Sequence, residues 1–324
     1  MSPSRLRSFV PAAVLVGGLG FGLAAGCGDA ATPACRVGAD CASGVCSSDG
    51  RCVAGAGADA AAQQDGAAGG EGGASSSGGS SSGGSGDGGP SGCTAVRDGV
   101  VSLSDMPLAP GLKANFRVAT DVDVDVAGVK KGDGTRTWDL SGALPGDHAV
   151  VSELRSAAGT WYAADFPTAS YVTKLSDTSD LLGVFKLDAQ ALVLLGVVSP
   201  DGGLTRTRVT NDPSAVILSL PFTVGKTWTS NVTVSGLANG VVTAYSEKYE
   251  TEVDAKGELK TPLGTFQVLR VSTVLTRTVG VIPTTTRTFA FVAECHGTVA
   301  RVRSRDNETQ AEFVRAAEVE RMSP

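Results

Sequence analysis

From Cys93 to the C-terminus, apolar and polar side chains alternate with period two, and glycine, asparagine and aspartate interrupt the alternation at short intervals. Only an extended backbone puts every second side chain on one face, so the pattern assigns this region to half-buried strands. The clearest case places Val241, Thr243, Tyr245, Tyr249 and Val253 on one parity, against Ala244, Ser246, Lys248, Glu250 and Glu252 on the other. Leu269, Val271, Thr273 and Leu275 repeat it. Further strands are expected at 114–126, 148–155, 160–164, 170–175, 191–198, 215–220, 227–235, 285–294 and 298–304. Turn chemistry falls at Lys131-Gly132-Asp133-Gly134, Asp201-Gly202-Gly203 and Ala238-Asn239-Gly240. No stretch keeps a helical stripe for long. The expected fold is mainly β: an antiparallel sheet curved into a barrel, half-barrel or clam, with lobes at 93–220 and 221–324 as one way of dividing it.

The residues before Cys93 have a different composition. Between Ala54 and Gly92, 32 of 39 residues are Gly, Ser or Ala, with no base and no aromatic. Such a chain has nothing to pack and is expected to be a disordered linker, serving either as a tether that lifts the following domain or as a neutral spacer. At the start, Arg5 and Arg7 precede an apolar run from Phe9 to Ala25 that carries Pro11 and several glycines. This is the makeup of an export signal over residues 1–26, and the run is shorter than the roughly 20 residues of a stable membrane span. The two arginines are not adjacent, so the chain is expected to cross unfolded.

Seven cysteines, Cys27, Cys35, Cys41, Cys46, Cys52, Cys93 and Cys295, set the remaining constraints. Cys27 closes the stretch Leu23-Ala24-Ala25-Gly26-Cys27, which resembles the lipobox of bacterial lipoproteins. The resemblance implies that this thiol takes a diacylglyceryl group and becomes the acylated first residue, anchored in the cell envelope and more at the outer membrane than the inner. The competing reading is an ordinary secretory signal with Cys27 in a disulfide. Assigning one cysteine to lipid leaves an even six, as an oxidising compartment favours. Removing the signal takes Arg5 and Arg7 and no acid, leaving 25 basic against 33 acidic residues. Nucleic acid is an unsuitable partner for so acidic a chain.

Cys35, Cys41, Cys46 and Cys52 lie in a segment over residues 27–53 too poor in large apolar side chains to order itself, so cross-links must replace a core. Their spacing alone allows three pairings. Zinc is the competing reading, and it usually asks for a closer cysteine pair than gaps of 5, 4 and 5 residues provide. The stretch Asp40-Cys41-Ala42-Ser43-Gly44-Val45-Cys46, followed by Asp49-Gly50-Arg51-Cys52, is similar to short cysteine-rich knots of the Dickkopf type, which recur in lipid-anchored proteins of δ-proteobacteria. That similarity implies pairs Cys35 with Cys46 and Cys41 with Cys52. Cys93 and Cys295 are then left for each other, with a free structural thiol or a nucleophile at Cys295 as the alternatives.

Gly225-Lys226-Thr227-Trp228, then Pro262-Leu263-Gly264-Thr265-Phe266 and its following strand, then Gly297-Thr298-Val299 resemble the signature of TapB-like bacterial envelope proteins. The resemblance implies a β-rich fold akin to the lipoprotein carrier half-barrels and attaches no catalytic residue. Physically, Gly264 suits a tight turn before a strand, and Trp228 and Phe266 suit core positions, with ligand stacking as the lesser reading.

Motifs for chemistry are sparse. Gly225-Lys226-Thr227 lacks the upstream glycine of a phosphate loop and reads as a strand entry. Asp121, Asp123 and Asp125 share one strand face, but the calcium-loop glycine and closing acid are missing, so a solvated face that discourages edge pairing is expected. Only His148 and His296 offer near-neutral bases, and no Gly-x-Ser-x-Gly or His-Glu-x-x-His is present. In Glu294-Cys295-His296 the adjacent thiol and imidazole would face opposite sides of a regular strand. The expected function is therefore binding or display without an enzymatic activity, a metal or a cofactor. Its partners would be the membrane through the lipid, and either an apolar or lipidic ligand or another envelope protein. Leu181 to Phe185 and Ala191 to Val198 are the apolar segments that favour the ligand.

Overall fold

A computed structural model describes residues 93–324. The expected signal, the lipidation at Cys27, the cluster of Cys35, Cys41, Cys46 and Cys52 and the 54–92 linker lie outside the described residues. The strands are β1 (Lys113–Asp123), β2 (Val129–Lys130), β3 (Arg136–Asp139), β4 (His148–Glu153), β5 (Tyr171–Ser176), β6 (Ser179–Leu187) and β7 (Ala191–Val198), then β8 (Arg208–Ser219), β9 (Thr227–Ala238), β10 (Val241–Lys260), β11 (Thr265–Val279), β12 (Ile282–Ala293), β13 (Gly297–Ser304) and β14 (Arg315–Met322). Twelve of them form one path, β4-β1-β14-β13-β12-β11-β10-β9-β8-β7-β6-β5. From β5 to β14 the path is an up-and-down meander, and β1 extends it by pairing antiparallel with β14. The edges approach where Arg155 and Val172 exchange two backbone hydrogen bonds of 2.8 Å, which makes the barrel nearly closed. The sheet runs unbroken across residue 220.

Local chemistry explains the meander. Asn239 and Gly240 both take positive φ, 50° and 78°, as the two-residue β9–β10 turn requires for its twist to match the strands. Lys226 reaches back to the carbonyls of Ser219 and Pro221 and fixes the entry to β9. On β10 the odd residues face inward as far as Val253. A bulge between Val253 and Ala255 then swaps the parity, sending Ala255 and Leu259 outward.

Two covers bury parts of the outer face. Residues 124–147 lie across β10 to β14, where Val126, Trp138 and Leu140 pack with Leu259, Phe289 and Phe291. Within this cover β3 pairs parallel with the end of β10. Two buried arginines fasten it. Arg270 forks onto Asp254 and Glu312, donates to the Val126 carbonyl and lies 4.4 Å from the Phe289 ring centre. Arg321 binds Asp147 and the carbonyls of Leu140 and Gly142. The second cover holds Tyr162 and Phe166 against Val172, Leu182, Val184 and Val198. Here the strand expected at 160–164 is absent: the chain turns and makes one 3-10 turn at Ala163–Asp165, because its aromatic side chains pack onto the sheet instead of joining it. One end of the barrel is capped by the segment before β1. Val101 exchanges backbone hydrogen bonds with Phe222, and Met106 joins Leu218, Leu220, Phe222 and Val253 in one core cluster.

Candidate ligand cavity

Inside the barrel the inward side chains surround a cavity of about 1100 Å³. Its apolar wall comes mostly from β5 to β8 and from β11. Tyr171 and Phe185 stack with ring centres 5.3 Å apart, beside Leu192, Leu194, Ile217, Leu218 and Leu275. Period two on each strand supplies one such residue per step, and register brings the steps level: Tyr171 faces Phe185, which faces Leu194.

Two polar clusters interrupt the apolar lining. At the first, register sets Glu247 of β10 opposite Arg277 of β11. Arg277 Nε donates to Glu247 Oε1 at 2.8 Å, the Tyr249 hydroxyl donates to Oε2 at 2.6 Å, and the guanidinium lies 5.2 Å from the Tyr245 ring centre. Burial first, and the Glu247 charge second, push the Tyr249 hydroxyl far above the ordinary tyrosine range, so it stays a donor. The second cluster sits on β13 and β14, where Arg301 pairs with Glu320 and Arg303 with Glu318. Arg301 lies 2.6 Å from Glu320 and also donates to the Leu175 carbonyl at 2.6 Å, while the Ser176 hydroxyl donates to Glu318 at 2.6 Å. The tip of the β5–β6 hairpin is thereby tied to β13 and β14, and the His148–Asp177 contact of 2.7 Å ties it to β4. Burial raises the Glu320 pKa against the opposing pull of Arg301. The fifth of its side-chain surface that stays accessible belongs to the cavity lining. An apolar chamber with compensated charges can hold a hydrocarbon chain and offer a few fixed polar contacts to a headgroup.

Cys93 and Cys295 are bonded, with Cα atoms 5.5 Å apart. Cys295 stands in the β12–β13 turn with φ of 66°, so the strand geometry weighed for Cys295 and His296 does not apply. His296 lies 3.0 Å from the Glu294 carbonyl and meets Phe266 edge-on, beside a smaller cavity of about 390 Å³. Trp228 is half-buried with its indole N–H on the Val216 carbonyl, and Phe266 is buried. Asp121 and Asp123 pair with Arg315, and Asp121 also with Arg305, whereas Asp125 accepts from the Gly128 amide. The Arg315 hydrogen bond is the first cause of an Asp121 pKa of about 2. Among the described residues, no group of three or more His, Cys, Asp or Glu could hold a metal ion, and no helix is long and apolar enough to cross a membrane.

Glu247, Arg277, Arg301, Glu318 and Glu320 were not singled out from the sequence. The available signal was opposite charge on inward parity, which becomes specific only once the register of neighbouring strands is known. Comparison with family models, with curated proteins and with solved structures finds no match to this chain.

Proposed function

We propose that this protein is a lipid-anchored envelope protein whose barrel holds an apolar or lipidic ligand. The observation that carries the reading is the cavity of about 1100 Å³ in the barrel interior, walled by Tyr171, Phe185, Leu192, Leu194, Ile217 and Leu275. Protein interiors otherwise close up until few voids exceed a water molecule. Ligand pockets usually span roughly 300–1,000 Å³ and combine apolar walls with a few placed polar groups. The covers on the outer face support the same reading, because they bury apolar surface of β5–β7 and β10–β14 without filling the interior. The basic start, apolar run and small residues before Cys27 support the anchor.

The test is native mass spectrometry of the full chain taken from a bacterial envelope, together with uptake of a fluorescent fatty acid. A co-purified lipid and saturable uptake are expected. Leu275→Trp, which narrows the chamber, should reduce uptake while the circular dichroism of the sheet is unchanged. A chain that carries no lipid and takes up no probe would instead be a surface interaction protein without a small ligand.

A further inference from the structure

The meander puts alternate turns at opposite ends of the barrel. The β10–β11 and β12–β13 turns share the end where Cys93 is bonded to Cys295, so the β9–β10 and β11–β12 tips share the other. Those two tips expose the side chains a soluble surface usually hides. Val242 is 83% exposed, Val281 92%, and Val241, Val279 and Ile282 are more than half exposed. Leu204, 95% exposed, belongs to the same patch, since its carbonyl sits against Gly240 so closely that a Cβ there would meet it at 2.3 Å. β10 runs on with β9 as far as Val241, five residues past its last partner on β11, so the β9–β10 hairpin projects roughly 15 Å beyond its neighbour.

We propose that these tips are a lipid-docking surface, which dips into the acyl layer of a phospholipid membrane and presents the cavity to it. Charge is the first support. The chain holds 33 acids, yet residues 227–246 and 261–293, which contain both tips, hold none, and the loop of Leu204 adds one, Asp201, with Arg206 as its counter-charge. The only cations of those two stretches are Arg270, which is buried, and Arg277 and Arg287, which stand behind the tips, Arg277 paired with Glu247 and Arg287 donating to the Glu308 carbonyl. A contact with hydrocarbon requires this, because a carboxylate carried into the acyl layer must be desolvated. Shape is the second. Two hairpin tips, one of them running past β11 and held on its other side by the Arg206 carbonyl and the Thr207 hydroxyl, fit a fluid layer better than a flat protein face. Thr243, Thr284 and Thr285 flank them with uncharged hydroxyls, and the carboxylate of Asp306 accepts from Thr286 behind the second tip. Continuity is the third, and it rests on the ligand reading above: Tyr245 and Arg277 line the cavity and stand on the same strands directly below the tips. A lipid passing between membrane and cavity at this end would avoid open water.

The test places a tryptophan at Val242 or Val281 in the full-length protein and mixes it with phosphatidylethanolamine–phosphatidylglycerol vesicles containing brominated acyl chains. Val151→Trp is the control, on an exposed apolar residue of β4 remote from the tips. Because the readout is position-specific, an N-terminal anchor on the same vesicle does not mimic it. The tip tryptophans should shift to the blue and be quenched, the control should not, and quenching should persist in high salt, since hydrocarbon contact is not screened. Tip tryptophans left unquenched, whether in water or against a second copy of the chain, would overturn the proposal, as would a contact that dissolves in salt. Val242→Asp with Val281→Asp should weaken vesicle binding of the chain carrying Cys27→Ala on the order of tenfold, while fatty-acid uptake without vesicles is kept. Quenching without any fatty-acid uptake would refute the cavity reading alone. Uptake without quenching would refute the docking surface alone.

Discussion

At the scale of single residues, the buried charges decide more than the exposed ones. Arg270 is 1% exposed and its partners Asp254 and Glu312 are 23% and 37% exposed, so removing the guanidinium leaves carboxylates that water can partly reach. It also orphans the Val126 carbonyl and unfastens the 124–147 cover. Arg270→Met should therefore cost about 2–3 kcal/mol in urea unfolding, below the 3–5 of a fully buried pair. Arg315→Met breaks a solvent-exposed pair and should leave the midpoint where it is. Glu320 adds a pH term. Its folded pKa lies above the ordinary 4.5, so between those two values the folded protein keeps a proton that the unfolded chain has released. The contribution of this group is full below pH 4.5 and falls as pH rises through the raised value, whereas carboxylates held low, such as Asp121, lose theirs only further into acid. His148, raised by Asp177, acts in the same sense: the charge part of its contact with the hairpin tip is complete below 6.5 and lost as pH rises past the shifted value. Urea melts across acidic pH should show this decline, and Glu320→Gln should flatten the part that starts at 4.5. An unchanged slope would place the proton elsewhere.

Among the elements, the tightest approach is β3 on β10. A Cβ on Gly257 would meet the Arg136 carbonyl oxygen at 1.8 Å, and that atom is backbone in a paired strand, so neither side can give. Gly257→Ala should cost about 1–3 kcal/mol. Hydrogen exchange should locate the damage at residues 136–139 and not in the barrel wall; uniform loss of protection would contradict this. The same comparison shows why some elements were legible and others not. Alternation with one wet face identified β10 and its inward parity, and Asn239-Gly240 identified the turn before it. β14 was missed because Arg-Ala-Ala-Glu-Val-Glu-Arg-Met has no apolar alternation: Glu318 and Arg321 are buried there with partners on other segments. β2 and β3 were missed because two and four residues carry too short a pattern, and the β10 partner of β3 lies more than a hundred positions away. At 160–164 the aromatics were real core residues assigned to the wrong element.

For the barrel as a whole, strand count and hairpin chemistry foretold a curved antiparallel sheet, and apolar strands foretold part of the chamber wall. The two polar clusters could not be foreseen, since they depend on which residues stand level across strands. The pairing of Cys93 with Cys295 was legible by elimination, and its place in the fold gives it a specific task. The bond closes a separation of 202 residues and pins the segment that caps one end of the barrel to the β12–β13 turn, where the Cys295 amide also donates to the Asp105 carbonyl. On the chain-entropy account, a loop of that length stabilises the folded state by up to about 5 kcal/mol. Replacing both cysteines with serine should therefore lower the unfolding free energy by several kcal/mol, and either single replacement should do nearly the same. The loss should not be uniform. Amides of Val101 and Phe222, which pair across the cap, should lose hydrogen-exchange protection first, while those of β10 and β11 keep theirs. Because Met106 and Leu108 of the cap also line the cavity, a bound fatty-acid probe should leave the double variant faster than the parent. Equal protection and equal release in the two proteins would mean that the cap is held by its apolar contacts alone and the bond adds nothing to them.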